Sequence, residues 1–140
     1  MSLVQLIYVS DLVNKDETQI PAILASSVRH NEEDGITGML LYAQGNFLQV
    51  LEGERELVKR TYDRICQDVR HRNTVLLTEE TVTERHFADW RMGYRQLEPG
   101  LAAKVPDYAP FFEFGFDAAA ISGKPGVALE MLELFSRGML

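Results

Sequence analysis

Five runs with strand character, interrupted at two places by segments of helical period, constrain this chain's fold more than any other feature. Residues 3–9, Leu-Val-Gln-Leu-Ile-Tyr-Val, form a nearly continuous apolar run rich in β-branched and aromatic residues, as in a strand covered on both faces. A polar loop from Asp11 to Asp16 follows. A helix is expected to begin near Asp16–Thr18, because Pro21 is tolerated only in a first turn. It runs to about Asn31, with Ile20, Ile23, Leu24, Ser27 and Asn31 along one side. Residues 36–43 and 46–52 read as a hairpin around Gln44-Gly45. The stretch from Glu54 to Val69 repeats Leu57, Val58, Thr61, Tyr62, Ile65 and Val69 at helical spacing, with acids at its start and bases at its end. Residues 74–82 and 90–97 read as the last two strands. The order β-α-β-β-α-β plus one strand predicts an α+β, ferredoxin-like domain with both helices on one sheet face and the first and third strands central.

The segment from residue 98 onward is too short for a second domain. The expected division is a domain over 1–97 and a helical extension over 98–140. That extension holds an aromatic cluster, Tyr108, Phe111, Phe112, Phe114 and Phe116. A helix is expected from Pro125, with Leu129, Leu132 and Phe135 on one stripe and Gly138 as its stop. The second sheet face is apolar too, since it carries Ile7, Val9, Leu48 and Val50. An open ferredoxin-like sheet would leave that face wet, so either the extension or a second subunit in a homodimer is expected to cover it.

Composition narrows the functional classes. A net charge of −7 disfavours a broad phosphate-binding surface and docking on anionic lipid, so neither nucleic acid nor membrane is an expected partner. No basic region precedes an apolar stretch at the N-terminus and no apolar run approaches about 20 residues, so a cytoplasmic protein is expected. The single cysteine, Cys66, permits no internal disulfide; its helical neighbours mark it as a core residue. His30, His71 and His86 are scattered, without the spacing of a metal site. Phosphate-loop, dinucleotide and nucleophile-elbow motifs are absent.

Strand alternation places Val4, Leu6 and Tyr8 on one face of the first strand and Phe47, Gln49 and Leu51 on one face of the third. If these sides face the helices, a phenol and an amide lie together beneath them. Gln49 sits inside the run Phe47-Leu48-Gln49-Val50-Leu51, where an unpartnered amide costs roughly 1–3 kcal/mol, so backbone or ligand must satisfy it. Asn31 arrives from the end of the first helix, either as its cap or as a site residue. Arg70 and His71 arrive from the end of the second, either as a solvated end or as part of the site. Trp90 and Met92 alternate on the fifth strand. Polar groups converging on an apolar slot between helices are a usual composition for a small-molecule pocket.

These positions resemble the BLUF family of flavin-binding blue-light sensors. The resemblance covers about residues 3–97 and rests on Leu-Ile-Tyr-Val-Ser at 6–10, Asn31, Gly-Ile-Thr-Gly-Met-Leu-Leu-Tyr at 35–42, Gly-Asn-Phe-Leu-Gln-Val-Leu-Glu-Gly at 45–53, Asp68 with Arg70-His71, and Phe87, Trp90 and Met92-Gly93-Tyr94. It implies a non-covalent flavin between the two helices, FAD by family habit, although the ring contacts would also accept FMN. Tyr8 would be the electron and proton donor. Gln49 would bridge that phenol to the flavin N5 and O4, then rotate or tautomerise after excitation. Asn31 would bond the O4/N3 edge and Arg70 the O2 side, with His71 near the pyrimidine end and Asp68 beside it. Ile23, Ser27, Leu40, Phe47 and Ile65 would line the ring faces. Trp90 and Met92 would be a switchable pair passing the signal through the fifth strand and the extension to another protein. Glu32 replaces a second asparagine found in some members, which bears on the phosphate end, where Arg29 and His30 are candidates. Two other classes fit the fold. One is a hydrolase similar to acylphosphatases that uses Arg70 and Asn31. The other is an oligomerisation module without a ligand.

Overall fold

β1, Leu3–Leu12, is buried on both sides because it is an interior strand of a sheet with elements closing over each face. The structure, a computed structural model, describes residues 2–98, 100, 104–116, 118–122 and 124–137. After β1, Asp16 caps a short 3-10 turn by accepting from the Thr18 amide. That turn leads into helix α1, Ile20–Asp34, whose Pro21 sits in the first turn where its missing N–H breaks no bond. Gly35 ends α1 in the left-handed conformation, φ +66°, with its N–H bonded to the Asn31 carbonyl. Asn31 is therefore in the last turn of the helix and not its cap.

Strands β2, Thr37–Ala43, and β3, Asn46–Glu54, form the expected hairpin across Gln44-Gly45. Helix α2, Arg55–Cys66, follows, with Glu54 accepting from the Leu57 amide at its N-terminus. Strands β4, His71–Thr81, and β5, Gly93–Gln96, complete a five-stranded sheet of order β4-β1-β3-β2-β5. All pairs are antiparallel except β2 with β5. This is the ferredoxin-like arrangement, with β1 and β3 adjacent at its centre.

The two sheet faces carry separate cores. Val4, Leu6, Tyr8, Leu40, Phe47 and Leu51 point towards α1 and α2 and pack with Ile20, Ile23 and Val58. Ile7, Val9, Met39, Leu41, Leu48 and Val50 point the other way. The extension covers them through α3, Ala109–Phe114, α4, Ala118–Ile121, and α5, Pro125–Ser136. Phe112, Phe116, Ile121, Met131, Leu132 and Phe135 fill that second core, with Leu129, Tyr108 and Phe111 half-buried around it. Phe114 is 69% exposed, so the aromatic cluster divides between core and surface. The expected helix stop at Gly138 lies outside the described residues.

Three sequence expectations about elements need correction. Helix α2 stops at Cys66 rather than Val69, because residues 67–70 turn back to deliver His71 to β4. Cys66 is consequently exposed and not a core residue, and Val69, placed on the same stripe, is 87% exposed. β5 begins at Gly93 rather than residue 90. Trp90 and Met92 lie in the segment before it, and they do not share a buried face: Trp90 is 42% exposed while Met92 is buried.

Candidate functional site

Register brings the central pair together. Tyr8 on β1 stands directly opposite Gln49 on β3, and Gln49 directly opposite Leu40 on β2, so the three side chains form one row beneath the helices. Opposed residues in an antiparallel sheet share a face, so the alternation that buried Tyr8 also buried Gln49. The Tyr8 hydroxyl donates to Gln49 Oε1. Gln49 Nε2 donates to the Met92 sulfur at 3.1 Å. The amide buried in an apolar strand thus has a partner at each end, and both are side chains.

Above Gln49 a narrow cleft opens between α1 and α2. α1 contributes Ile23, Ser26, Ser27, His30 and Asn31. α2 contributes Thr61, Arg64 and Ile65; the turn after it contributes Asp68 and Arg70; His71 closes the end from the first position of β4. Nine of the sequence-chosen residues therefore meet here: Ile23, Ser27, His30, Asn31, Gln49, Ile65, Asp68, Arg70 and His71. Tyr8, Leu40 and Phe47 lie one layer below, in the core under the cleft floor. The Phe47 ring centroid is 5.1 Å from that of His71.

The electrostatics of the cleft have local causes. Arg70 holds Asp68 through contacts of 2.6–3.1 Å, and that bonding keeps the Asp68 carboxyl below its usual range. Burial lowers the His71 pKa; Asp68 opposes this and Arg70 reinforces it, so His71 is neutral at pH 7. Its Nδ1 pairs with Ser10 Oγ at 3.0 Å. Burial pushes the Tyr8 phenol well above its ordinary value, with Tyr62, Cys66 and Asp68 adding to the shift. Tyr8 is therefore a neutral phenol whose proton has one acceptor, Gln49. The Tyr62 ring meets it edge-on at 5.2 Å. Asn31 Nδ2 donates to the Arg91 carbonyl at 2.5 Å, so Asn31 and Gln49 grip consecutive residues of the segment before β5.

Thr61 tests whether this cleft suits a polar heterocycle. Its Oγ1 is buried, lines the cleft and has no hydrogen-bond partner. A native protein rarely leaves such a group unpaired, so a ligand edge is the natural complement. Ile23 and Ile65 offer apolar walls, and Asn31, Arg64 and Arg70 add donor groups to the lining, a set that fits a flavin ring. Sequence reasoning had used Thr61 only as a mark of periodicity, and had passed over Ser26 and Arg64. The signal was present in the spacing, since 61, 64 and 65 share one helical stripe, as do 23, 26, 27, 30 and 31.

A ferredoxin-like sheet whose helices enclose a polar-rimmed cleft over a tyrosine–glutamine pair defines a small ligand-binding α+β domain. The family model described as "BLUF: Sensors of blue-light using FAD" matches residues 3–93, and the chain belongs to that family. Among solved structures, "BlsA photo-activated state" is 28% identical with a TM-score of 0.76, covering 94% of this chain and 95% of that one. "BlrB - a BLUF protein, dark state structure" is 29% identical with a TM-score of 0.71, covering 92% and 97%. Among curated relatives, the "Blue light- and temperature-regulated antirepressor BluF" of Escherichia coli is 37% identical over 86 residues, 61% of this chain and 21% of that protein. The "Photoactivated adenylate cyclase subunit beta" of Euglena gracilis is 34% identical over 95 residues, 65% of this chain and 11% of that protein. The chain thus spans a small fraction of these two relatives' length. BLUF domains are flavin-binding sensor domains. No described helix is long and apolar enough to cross a membrane, and no described cluster of His, Cys, Asp and Glu could hold a metal ion.

Proposed function

We propose that this chain is a blue-light receptor in which Tyr8 and Gln49 carry out the photochemistry and the extension passes the result to a partner protein. The observation that carries the reading is the buried Tyr8–Gln49–Met92 relay under the cleft. FAD is the expected ligand, with FMN as the alternative the ring-lining residues would also admit. Ile23, Ser27, Asn31, Ile65, Asp68, Arg70 and His71 would hold it from the cleft walls, with Leu40 and Phe47 supporting the floor. Bound flavin supplies the absorption of blue light and a ring that accepts an electron once excited.

The chain's own part follows from its hydrogen bonds. Tyr8 gives up the electron, and its proton leaves along its bond to Gln49 Oε1. The two ends of the Gln49 amide have nearly the same shape and opposite hydrogen-bonding character, so a half-turn about the terminal bond changes polarity without changing packing. When the electron and proton return to Tyr8, the composition is unchanged but the amide is reversed. Oε1 then faces the Met92 sulfur, which has no proton to donate, and the bond to Met92 is lost. A photochemical event is thereby converted into release of one residue before β5. Its consequence for other molecules would be altered binding of a protein effector by the extension.

The deciding experiment is an absorption spectrum of the purified protein before and after blue illumination, with mass spectrometry of the released chromophore. A yellow protein whose band moves red by about a few nanometres and recovers in the dark is expected, because the ring stays oxidised and only its hydrogen bonds change. Tyr8→Phe and Gln49→Leu should each keep the colour and abolish the movement. A normal photocycle in both variants would refute the roles given to this pair.

A further inference from the structure

Segment 86–92 joins the Gln49 amide to the extension by a continuous set of contacts that bypasses β5. Its last residues are held on the helix side: Met92 by Gln49 Nε2, the Arg91 carbonyl by Asn31 Nδ2, and the Trp90 carbonyl by the Gly38 N–H at 2.9 Å. Its first residues are held by Glu52, three positions beyond Gln49 on the same strand. Glu52 is a fully buried carboxylate, and both its oxygens are occupied. It accepts from the His86 amide at 2.9 and 3.0 Å, from the Phe87 amide at 2.8 Å and from Gln5 Nε2 at 2.9 Å.

The output end of the segment touches α5. Phe87 is buried in the second core with Leu132 and Phe135. His86 Nδ1 lies 2.9 Å from Glu133 Oε1, and Arg137 approaches the same carboxylate at 3.9 Å. The middle has no slack. A Cβ on Gly38 would lie 2.1 Å from the Val50 carbonyl oxygen and 3.4 Å from the Met92 methyl. One on Gly93 would lie 2.6 Å from the Met39 sulfur and 3.1 Å from the Trp90 ring. The segment therefore packs directly on β2.

We propose that segment 86–92 is the output strap of this receptor: Met92 receives the state of Gln49, Glu52 is the pivot, and Phe87 with His86 delivers the movement to Glu133 on α5. This rests on the photochemical reading above and adds a route to it. Glu52 is a positioning residue, since it touches neither the cleft nor the relay.

The test is hydrogen–deuterium exchange over residues 125–136, in darkness and under blue light, on the full flavin-loaded chain. Visible spectra are recorded on the same samples. The wild type should show a light-dependent change in exchange of at least about twofold across α5, on the premise that a ligand-gated element opens from the low-stability end of the fold. In the double variant His86→Ala/Phe87→Leu, and separately in Glu52→Gln, the red shift should remain while the light-dependent change at α5 falls to less than half. Glu52→Gln keeps the shape and guards against loss of fold in the double variant; dark-state exchange in the β1–β3 core confirms that each variant is folded. Retention of the full light-dependent change at α5 in both variants overturns the strap, as does a wild type whose spectrum shifts while α5 is unaffected. Absence of the red shift in the wild type instead refutes the photochemical reading, so the two failures are distinct.

Discussion

At the residue scale, Thr61 and His71 make the sharpest demands on the site. Thr61 Oγ1 is buried without a partner, and such a group costs about 1–3 kcal/mol. Thr61→Val keeps the shape and removes the unpaired oxygen, so the flavin-free protein should gain about 1 kcal/mol in urea unfolding. The same change should weaken flavin binding by roughly 3- to 10-fold, the equivalent of one lost hydrogen bond, when affinity is read from flavin fluorescence quenching. Unchanged affinity would place the ring away from α2. His71 has a pKa held low by burial, so the unfolded chain binds its proton more readily than the folded one. Its contribution to stability is complete above the unfolded value of about 6.5 and is lost as pH falls towards the lowered folded value. Between pH 7.5 and 5.5, wild-type Tm should therefore fall by more than that of His71→Gln. An equal fall in the two would show that the imidazole is not desolvated.

At the element scale, what distinguishes expectation from outcome is whether an element is defined by its own periodicity or by its neighbours. β1 and β3 carry strict alternation against two cores, and their facing residues were legible in advance, Tyr8 and Gln49 included. The end of α2 was not, because Val69 continues the spacing that Ile65 establishes, and only the return of the chain to β4 stops the helix at Cys66. β5 was overextended for the same kind of reason. Residues 90–92 look like strand, but they are tied down by Asn31, Gly38 and Gln49, none of them near in sequence. α1 ends where an αL residue stands. Gly35 has φ +66° and open space where a Cβ would point, so Gly35→Ala should introduce backbone strain alone. A loss of about 1–2 kcal/mol with an unchanged urea m-value is expected.

At the scale of the whole molecule, the extension is what makes the sheet a two-sided core. Ile7, Val9, Met39, Leu41, Leu48 and Val50 are buried only because α3, α4 and α5 cover them. A chain cut after residue 98 should expose that face as one contiguous patch. Light scattering after size exclusion should then find dimers or larger aggregates, with a monomeric, fully stable product as the contrary outcome. Any change in how the extension docks is therefore felt by the same β3 strand whose other face holds Gln49, and this shared strand couples cleft and output.

The apolar pattern of the chain determined the two-faced sheet, the pairing of helices on one side and the opposition of Tyr8 with Gln49. These follow from periods of two and 3.6 residues, which are local properties of the backbone. Only the tertiary structure decided that Met92 rather than Trp90 is buried against Gln49, that Thr61 is left unpaired in the cleft, and that Glu52 ties segment 86–92 to the sheet. Those outcomes depend on contacts between residues 43 and 60 positions apart, and for Glu52 34 and 35, whose geometry is set by strand register and turn closure together. No single stretch of sequence carries that information.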